Sequence, residues 1–152
     1  IMGAIQNTLN KFGNETVKII RNNLATTGTN ASGETSQSLQ SVLIGKDRVQ
    51  VTGKPFIYVV ETGRKAGKMP PISNILKWVE TGKPSFEGSA LSFAWAISTK
   101  IGKEGSALFR KGGRTDIITP AISEKRVDDL TEEIADVSLE LVVNVIEDGT
   151  RR

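Results

Sequence analysis

The side chains that could carry out chemistry in this chain are carboxylates, lysines and arginines, because its 152 residues include no histidine and no cysteine. This composition excludes thiol nucleophiles, imidazole bases, disulfides and zinc sites built on sulfur or imidazole. Carboxylates alone can still act as general acid and base. Several of them share the solvent face of a helix predicted near the C-terminus, which is typical of helix solvation: Asp128, Asp129, Glu132, Glu133 and Asp136. We therefore predict that the chain is not an enzyme and that it holds no metal or other cofactor.

Two basic, glycine-containing segments could contact phosphate. Residues 63–69 are similar to a phosphate-binding loop, but the glycines are one residue too close and Met69 stands where Ser or Thr should hold magnesium, which favours a flexible turn. Arg110, Lys111 and Arg114 surround a Gly-Gly pair, and arginine makes paired hydrogen bonds to phosphate. No aromatic stacking platform or groove-reading motif accompanies them. A solvated or subunit-bridging loop is therefore favoured, and contact with nucleic acid is the alternative.

Glu61 follows the apolar run of residues 56–60, which predicts that its carboxylate is partly buried. Burial of an unpaired carboxylate is too costly to persist. We therefore expect Glu61 to form a structural salt bridge or to accept hydrogen bonds from a loop backbone.

The N-terminal part of the chain predicts one helix and one connector. Apolar residues at steps of three and four indicate an amphipathic helix over about residues 2–24. Residues 25–38 are rich in Thr, Ser and Gly and poor in apolar side chains, so we expect a flexible polar connector there.

A small antiparallel sheet is predicted from two separate parts of the sequence. Two short runs rich in Val, Ile and Leu within residues 39–53 flank Lys46 and Asp47 and indicate a β-hairpin with one buried face. Residues 138–147 alternate in the same way and predict a C-terminal strand that pairs with the hairpin.

Three further helices are predicted between and beside these strands. The first begins at Pro70 and Pro71 and ends at Gly82 and Pro84. The second covers residues 88–104 and is apolar nearly all round, so we expect it to be covered on more than one side. The third begins with a cap at Thr119 and has an apolar stripe of four residues, Ile122, Val127, Leu130 and Ile134. The fold class is thus α+β, a hairpin plus C-terminal strand packed with about four helices in one structural domain, residues 1–152.

The two tryptophans are the strongest indication of an interface. Trp78 lies off the apolar stripe of its helix, and Trp95 lies on the helix that is apolar on several sides. Such features are typical of protein–protein contacts. The alternative, that both tryptophans fill the domain's own core, stays open.

The charge and hydropathy of the chain bear on the compartment in which the protein is made and on whether it contacts a membrane. The net charge is +3, and the longest stretch without a charge, residues 88–99, is too short for a membrane-spanning helix. The N-terminal residues do not indicate a signal peptide. We expect a protein made in the cytoplasm, with no membrane partner.

The middle of the chain contains a series of short motifs in a fixed order: Tyr-Val-Val-Glu-Thr-Gly-Arg at 58–64, Pro-Pro-Ile at 70–72, Trp-Val at 78–79, Ser-Phe-Ala-Trp-Ala-Ile at 92–97, Ile101, Gly105, Phe109 and Pro-Ala at 120–121. This order resembles the tail-completion, or neck, proteins of tailed double-stranded DNA phages, and the similarity covers roughly residue 39 to the C-terminus. In that family an aromatic-Ala pair commonly precedes a Val-Glu-x-Gly-Thr turn. Here Val59 replaces the Ala and Arg64 the Thr.

The resemblance implies a structural virion component, made in the host cytoplasm and located in the neck or tail. Such a subunit forms a ring of six or more copies and contacts the portal or connector and the tail proteins. The candidate subunit-interface residues are Trp78, Phe93, Trp95, Glu61 and Arg64. A ring needs two different complementary patches on each subunit, which the apolar helix with Trp78 and the charged segments could provide.

Two hypotheses follow for the remaining charged residues. Arg110, Lys111 and Arg114 are candidate contacts to genomic DNA in a channel or to a partner protein. A small nucleic-acid-binding module is the alternative function, and it predicts DNA affinity that falls steeply with salt. A carboxylate enzyme instead predicts an activity that replacement of one acidic residue destroys.

Overall fold

The computed structural model describes residues 2–29, 33–81 and 85–151, in which helices pack with a two-stranded antiparallel hairpin, an α+β arrangement. Helix α1 spans Met2–Thr26. Its Leu9, Val17, Ile20 and Leu24 are buried at the spacing of one helix face. The N-terminal helix is therefore confirmed and extends two residues beyond the predicted end.

The predicted flexible connector is only partly right. Residues 30–32 lie outside the described residues, but Glu34–Ser38 form the short helix α2. The guanidinium of Arg21 in α1 donates to the carbonyl oxygens of Ser36, at 3.0 Å, and Leu39, at 2.8 Å. These long-range hydrogen bonds tie the second half of the segment to α1, which its polar composition did not indicate.

The predicted hairpin is confirmed. Strand β1, Gln40–Ile44, pairs antiparallel with β2, Arg48–Thr52, with Val42 opposite Gln50. The inner face packs on α1 at Gly13, where a Cβ atom would lie 2.0 Å from Ser41 Oγ and 2.6 Å from Val49 Cγ2. Glycine at this position lets the hairpin approach the helix backbone.

The predicted C-terminal strand is wrong, because residues 138–147 lie within helix α6, Glu124–Thr150. The sheet in the described residues has two strands, β1 and β2. The apolar residues of this segment alternate, but they also recur at helical spacing, at Leu139, Val142, Val143 and Ile146. No glycine or proline separates them from the helix that precedes them, so the helix continues.

The core lies between α1, the hairpin and two single 3₁₀ turns, Pro55–Val59 and Thr119–Ile122. Eight buried side chains from these distant segments pack together: Val17, Ile20, Leu24, Leu39, Ile57, Val60, Ile117 and Ala121. The amide of Asn23 also donates to the carbonyl oxygen of Ile117, at 2.9 Å.

Helices α3, Ile72–Glu80, and α4, Ala90–Glu104, pack against each other beside this core, and α5, Ala107–Arg110, follows α4. Gly82 and Pro84, the predicted end of α3, lie outside the described residues. The predicted count of four helices is too low, because α2 and α5 are short helices with too few residues to give a periodic pattern. Helix α4 begins at Ala90, where the side chain of Ser89 accepts from the Ser92 N–H.

Helix α6 begins at Glu124 with Ser123 as its N-cap, four residues later than predicted, because Thr119–Ile122 form the 3₁₀ turn. Its first half packs on α1. There Arg126 lies 4.6 Å from the centre of the Phe12 ring, donates to Thr16 Oγ1 at 3.0 Å, and approaches Glu15 at 3.6 Å. In the part of the chain described, no helix is both long enough and apolar enough to cross a membrane.

Candidate subunit interface

Helix α4 has a face that stays exposed in the described part of the chain. α3, Phe86 and the loop of residues 61–69 all contact the helix, and its Ala94 and Ser98 are buried on one side. We call the opposite side the outer face of α4. It consists of six exposed residues, Leu91, Ser92, Trp95, Ala96, Lys100 and Lys103. The Trp95 side chain in its middle is 51% exposed.

The other two aromatic candidates differ from Trp95 in their surroundings. Trp78 is 39% exposed, whereas the next residue of α3, Val79, is buried. Trp78 therefore lies off the buried apolar stripe of α3, as predicted from the sequence. Phe93 is half-buried and stacks on Phe86, with ring centres 5.1 Å apart and planes 17° apart. Phe93 therefore supports α4 from within the chain, and Trp95 is the more accessible aromatic side chain.

Glu61 is held inside the chain. Its Oε1 atom accepts hydrogen bonds from the backbone N–H groups of Ile117, Ile118 and Thr119, at 2.9, 2.5 and 2.9 Å. Its Oε2 atom accepts from the Thr119 hydroxyl at 2.8 Å. Of the two fates expected for this carboxylate, the structure shows the hydrogen bonds to a loop backbone.

The titration of Glu61 follows from these contacts. Partial burial acts to raise the pKa of the carboxyl, and the hydrogen bonds from Thr119, Ile117 and Ile118 act to lower it. The hydrogen bonds outweigh burial, so the pKa of Glu61 lies below its ordinary value of 4.5. The carboxylate is therefore charged at neutral pH and anchors the start of the 3₁₀ turn at Thr119.

Arg64 also acts within the chain. Its backbone N–H donates to Ser106 Oγ at 3.0 Å, and its carbonyl oxygen accepts from the Ser106 N–H at 2.8 Å. Its guanidinium donates to the carbonyl oxygens of Lys68 and Met69, at 3.4 and 3.5 Å. Within the chain, the Glu61 carboxylate thus anchors residues 117–119 and Arg64 fixes the loop of residues 61–69. Their place at a subunit interface stays a prediction.

The three predicted DNA or partner contacts lie on one loop but do not present three free charges. Arg114 binds Asp116 through two hydrogen bonds of 2.6 and 2.7 Å, which raise the pKa of Arg114 and lower that of Asp116. Arg110 lies 3.5 Å from Glu104. Lys111 is exposed at the end of α5.

The loop of residues 61–69 brings a second basic segment to the end of α4. The Gly67 N–H donates to the carbonyl oxygen of Gly102 at 2.8 Å. This hydrogen bond joins the segment containing Lys65 and Lys68 to the last turns of α4, which carry Lys100 and Lys103. The sequence motif at 63–69 is therefore a docked loop and not the flexible turn that its composition predicts.

The second half of α6 was not among the predicted site residues, because a strand was expected there. We call residues 139–150 the arm. Every residue from 142 to 150 is exposed. Five large apolar side chains of the arm are exposed: Leu139, Val142, Val143, Val145 and Ile146. The helical spacing of Leu139, Val142, Val143 and Ile146 is the sequence pattern that predicts this surface.

Charge is divided unevenly between residues 128–148 of α6 and the rest of the chain. Of the 17 Asp+Glu, eight lie in residues 128–148, which contain no Lys or Arg. Of the 20 Lys+Arg, two follow at positions 151 and 152, which leaves eighteen basic against nine acidic residues in 1–127. The molecule therefore joins a basic body to an acidic helix.

One concave surface lies between α1 and α6 and is lined in part by Glu15, Asp129 and Glu133. An open groove of about 480 Å³ lies between α1 and β1, and it is lined by Asn14, Val17, Lys18, Arg21, Leu39, Gln40 and Ser41. This lining contains cations, amides and one hydroxyl but no carboxylate. Among the described residues, no group of three or more acidic side chains is placed to hold a metal ion.

Comparison of the chain with protein families, with curated proteins and with solved structures finds no match.

Proposed function

We propose that this chain is a structural virion protein of a tailed phage, a neck or tail-completion subunit. It assembles into a ring of six or more copies that joins the head connector, or portal, to the tail. The protein is made in the host cytoplasm and resides in the virion.

The single observation that carries the proposal is the exposed outer face of α4 with Trp95 at its centre. A half-exposed tryptophan flanked by Leu91 and by small side chains is typical of the anchor of a protein interface. Such a surface in water favours association. The sequence resemblance to neck proteins indicates which partners cover it.

The arrangement of the remaining surface agrees with a mechanical role. An enzyme needs an acid or base with room for a substrate, whereas the half-buried carboxylate of Glu61 is occupied by hydrogen bonds from residues 117–119. Its function is to hold residues 117–119 in place. The chain thus supplies a rigid subunit with apolar surface for neighbours.

Quantitative mass spectrometry of purified particles tests the proposal. The phage or prophage that encodes the chain is grown, its particles are purified, and the copy number of the chain is measured against the major capsid protein. We expect six or more copies in each particle. Absence of the chain from particles that are otherwise complete contradicts the proposal.

A nucleic-acid-binding module is the second candidate, and the docking of the 61–69 loop favours it. That loop brings Lys65 and Lys68 to the end of α4 that carries Lys103, near the loop with Lys111. This function predicts that the isolated subunit binds duplex DNA with an affinity that falls steeply as salt rises, because bound cations are released. A ring subunit without such affinity favours the first candidate.

Contact with genomic DNA inside the ring has its own test. We expect replacement of Arg110, Lys111 and Arg114 by Gln to impair genome retention or exit, with infectivity as the readout. Lys46→Gln and Arg48→Gln at the hairpin turn reduce the positive charge elsewhere and serve as the control. Unaltered infectivity of the triple variant counts against the channel hypothesis.

A further inference from the structure

Most of the arm of α6 is exposed in the described part of the chain. An ion pair between Lys11 and Glu133, at 3.8 Å, joins the first half of α6 to α1, whereas residues 142–151 are all exposed. Leu139, Val142, Val143 and Ile146 lie on one helical stripe, with Leu139 64% exposed. A helix that ends in an apolar stripe exposed to water is stabilised by a partner that covers it.

Charge restricts what that partner can be. The arm has three carboxylates, Glu140, Glu147 and Asp148, and Arg151 and Arg152 follow it, while five more carboxylates precede it in residues 128–136. This excess of acidic residues disfavours nucleic acid and a second arm as the partner. The body of the same chain has twice as many basic as acidic residues over 1–127. A second copy of this chain therefore has a basic surface, within residues 1–127, that can attract the carboxylates of the arm.

The outer face of α4 is the part of that body that fits an apolar helix. It combines exposed Leu91 and Trp95 with the small side chains of Ser92 and Ala96, which allow a second helix to approach closely. Lys100 and Lys103 follow on the same face, where they can meet Glu140 and Glu147 of an incoming arm. The carboxylate of α4 itself, Glu104, lies 3.5 Å from Arg110.

We propose that the arm of one copy docks on the outer face of α4 of a second copy. The two surfaces differ, so each copy gives an arm and receives one, and the contact is heterologous. Repeated around an axis, such a contact closes a ring. The inference deepens the proposed function, on which it rests for the closure of the ring, by naming the two surfaces that join its subunits.

Disulfide trapping tests the contact directly, because the wild-type chain contains no cysteine. Full-length Val142→Cys and Ala96→Cys are purified separately, distinguished by a mass tag, mixed at high concentration and low salt, and oxidised. Both positions are exposed, so both variants keep their fold, which circular dichroism checks. The pair Val142→Cys with Lys46→Cys, at the exposed hairpin turn, is the matched control.

We expect a mixed disulfide between Val142→Cys and Ala96→Cys well above the yield of the control pair. A yield no higher than the control overturns the inference. Dominant self-linking of Val142→Cys also overturns it, because the arms then pair with each other. The inference is also overturned if, in particles, the arm forms a disulfide with a different virion protein and none with α4.

Charge reversal gives an independent readout by sedimentation velocity. We expect Trp95→Ala to weaken self-association at least about tenfold. Lys100→Glu with Lys103→Glu weakens it as well, and adding Glu140→Lys and Glu147→Lys to the same chain restores it. The control, Lys46→Glu with Arg48→Glu, changes the net charge by the same amount at the hairpin turn and should leave self-association intact. If the control weakens self-association as much as Lys100→Glu with Lys103→Glu does, the specific contact is contradicted.

These results are separable from the proposed function. If the chain is present in particles at six or more copies and no arm-to-α4 disulfide forms, the virion role stands and the docking is wrong. If the disulfide forms and the chain is absent from particles, the docking stands and the virion role is wrong.

Discussion

At the scale of single residues, Glu61 shows how one charged side chain fixes the path of a distant segment. Its carboxylate satisfies three consecutive backbone N–H groups at residues 117–119 and the Thr119 hydroxyl. Without it, N–H groups beside the buried Ile117 lose their acceptor. The 3₁₀ turn that leads into α6 depends on this anchor.

We expect Glu61→Gln to lower the free energy of unfolding by about 2 kcal/mol at neutral pH, because an amide oxygen accepts these hydrogen bonds less strongly than a carboxylate. The measurement is urea unfolding followed by circular dichroism. Glu87→Gln, at an exposed carboxylate, is the control and should change the stability little. Equal stability of Glu61→Gln and the wild type contradicts the anchoring role.

The pH dependence of the same pair of proteins gives a second prediction. The pKa of Glu61 is lowered in the folded state, so its stabilising effect is complete above the ordinary value of 4.5 and is lost as the pH falls through the folded-state value. We therefore expect the stability difference between wild type and Glu61→Gln to be largest near pH 7 and to shrink in acid. A difference that grows on acidification contradicts the assigned sign.

At the scale of elements, sequence patterns predicted correctly the helix and the hairpin that short-range interactions determine. The positions of α1 and of the β1–β2 hairpin follow from apolar periodicity and turn residues, which act over a few residues. Segment 138–147 fits both a period of two and a helical period, and its β-branched residues favoured the wrong one. The continuity of α6 decided between them, and that depends on neighbouring residues and not on the segment alone.

Contacts between distant elements could not be read from the sequence in the same way. The environment of Glu61 was predicted as a choice between a salt bridge and loop hydrogen bonds, but its partners lie 56 to 58 positions away. Likewise, the hydrogen bond from the Arg64 N–H to Ser106 Oγ joins residues 42 positions apart, which no local pattern indicates. The exposure of Trp95 could be inferred more readily, because its helix has more apolar surface than one packing partner can cover.

The packing of α1 on the hairpin leads to a prediction at this scale. Gly→Ala inside a helix normally stabilises by up to about 1 kcal/mol. At Gly13 the added Cβ would lie 2.6 Å from the stiff Val49 side chain, so we expect Gly13→Ala to destabilise the protein by about 1 kcal/mol or more. Gly149→Ala in α6 meets nothing within 4 Å and should be neutral or slightly stabilising.

Thermal unfolding of the two alanine variants side by side checks this prediction. Opposite signs of the shift in Tm indicate that the hairpin, and not helix propensity, decides the effect at residue 13. A rise in Tm for both variants contradicts the close approach of the hairpin to α1.

At the scale of the whole molecule, shape and charge point to association with like subunits. In the proposed docking, Glu140 and Glu147 of one copy meet lysines of another, whereas two bodies, each with eighteen basic and nine acidic residues in 1–127, repel each other. The outer face of α4 offers a half-exposed tryptophan to whatever neighbour covers it. Together these features suit a subunit whose function is to hold parts of an assembly together.

A density map of the neck of the assembled particle tests this central claim most directly. We expect a ring of six or more copies of the chain between connector and tail, with Trp95 of each copy covered by a neighbouring subunit. A neck without this chain, or a chain whose Trp95 faces solvent in the finished particle, contradicts the claim.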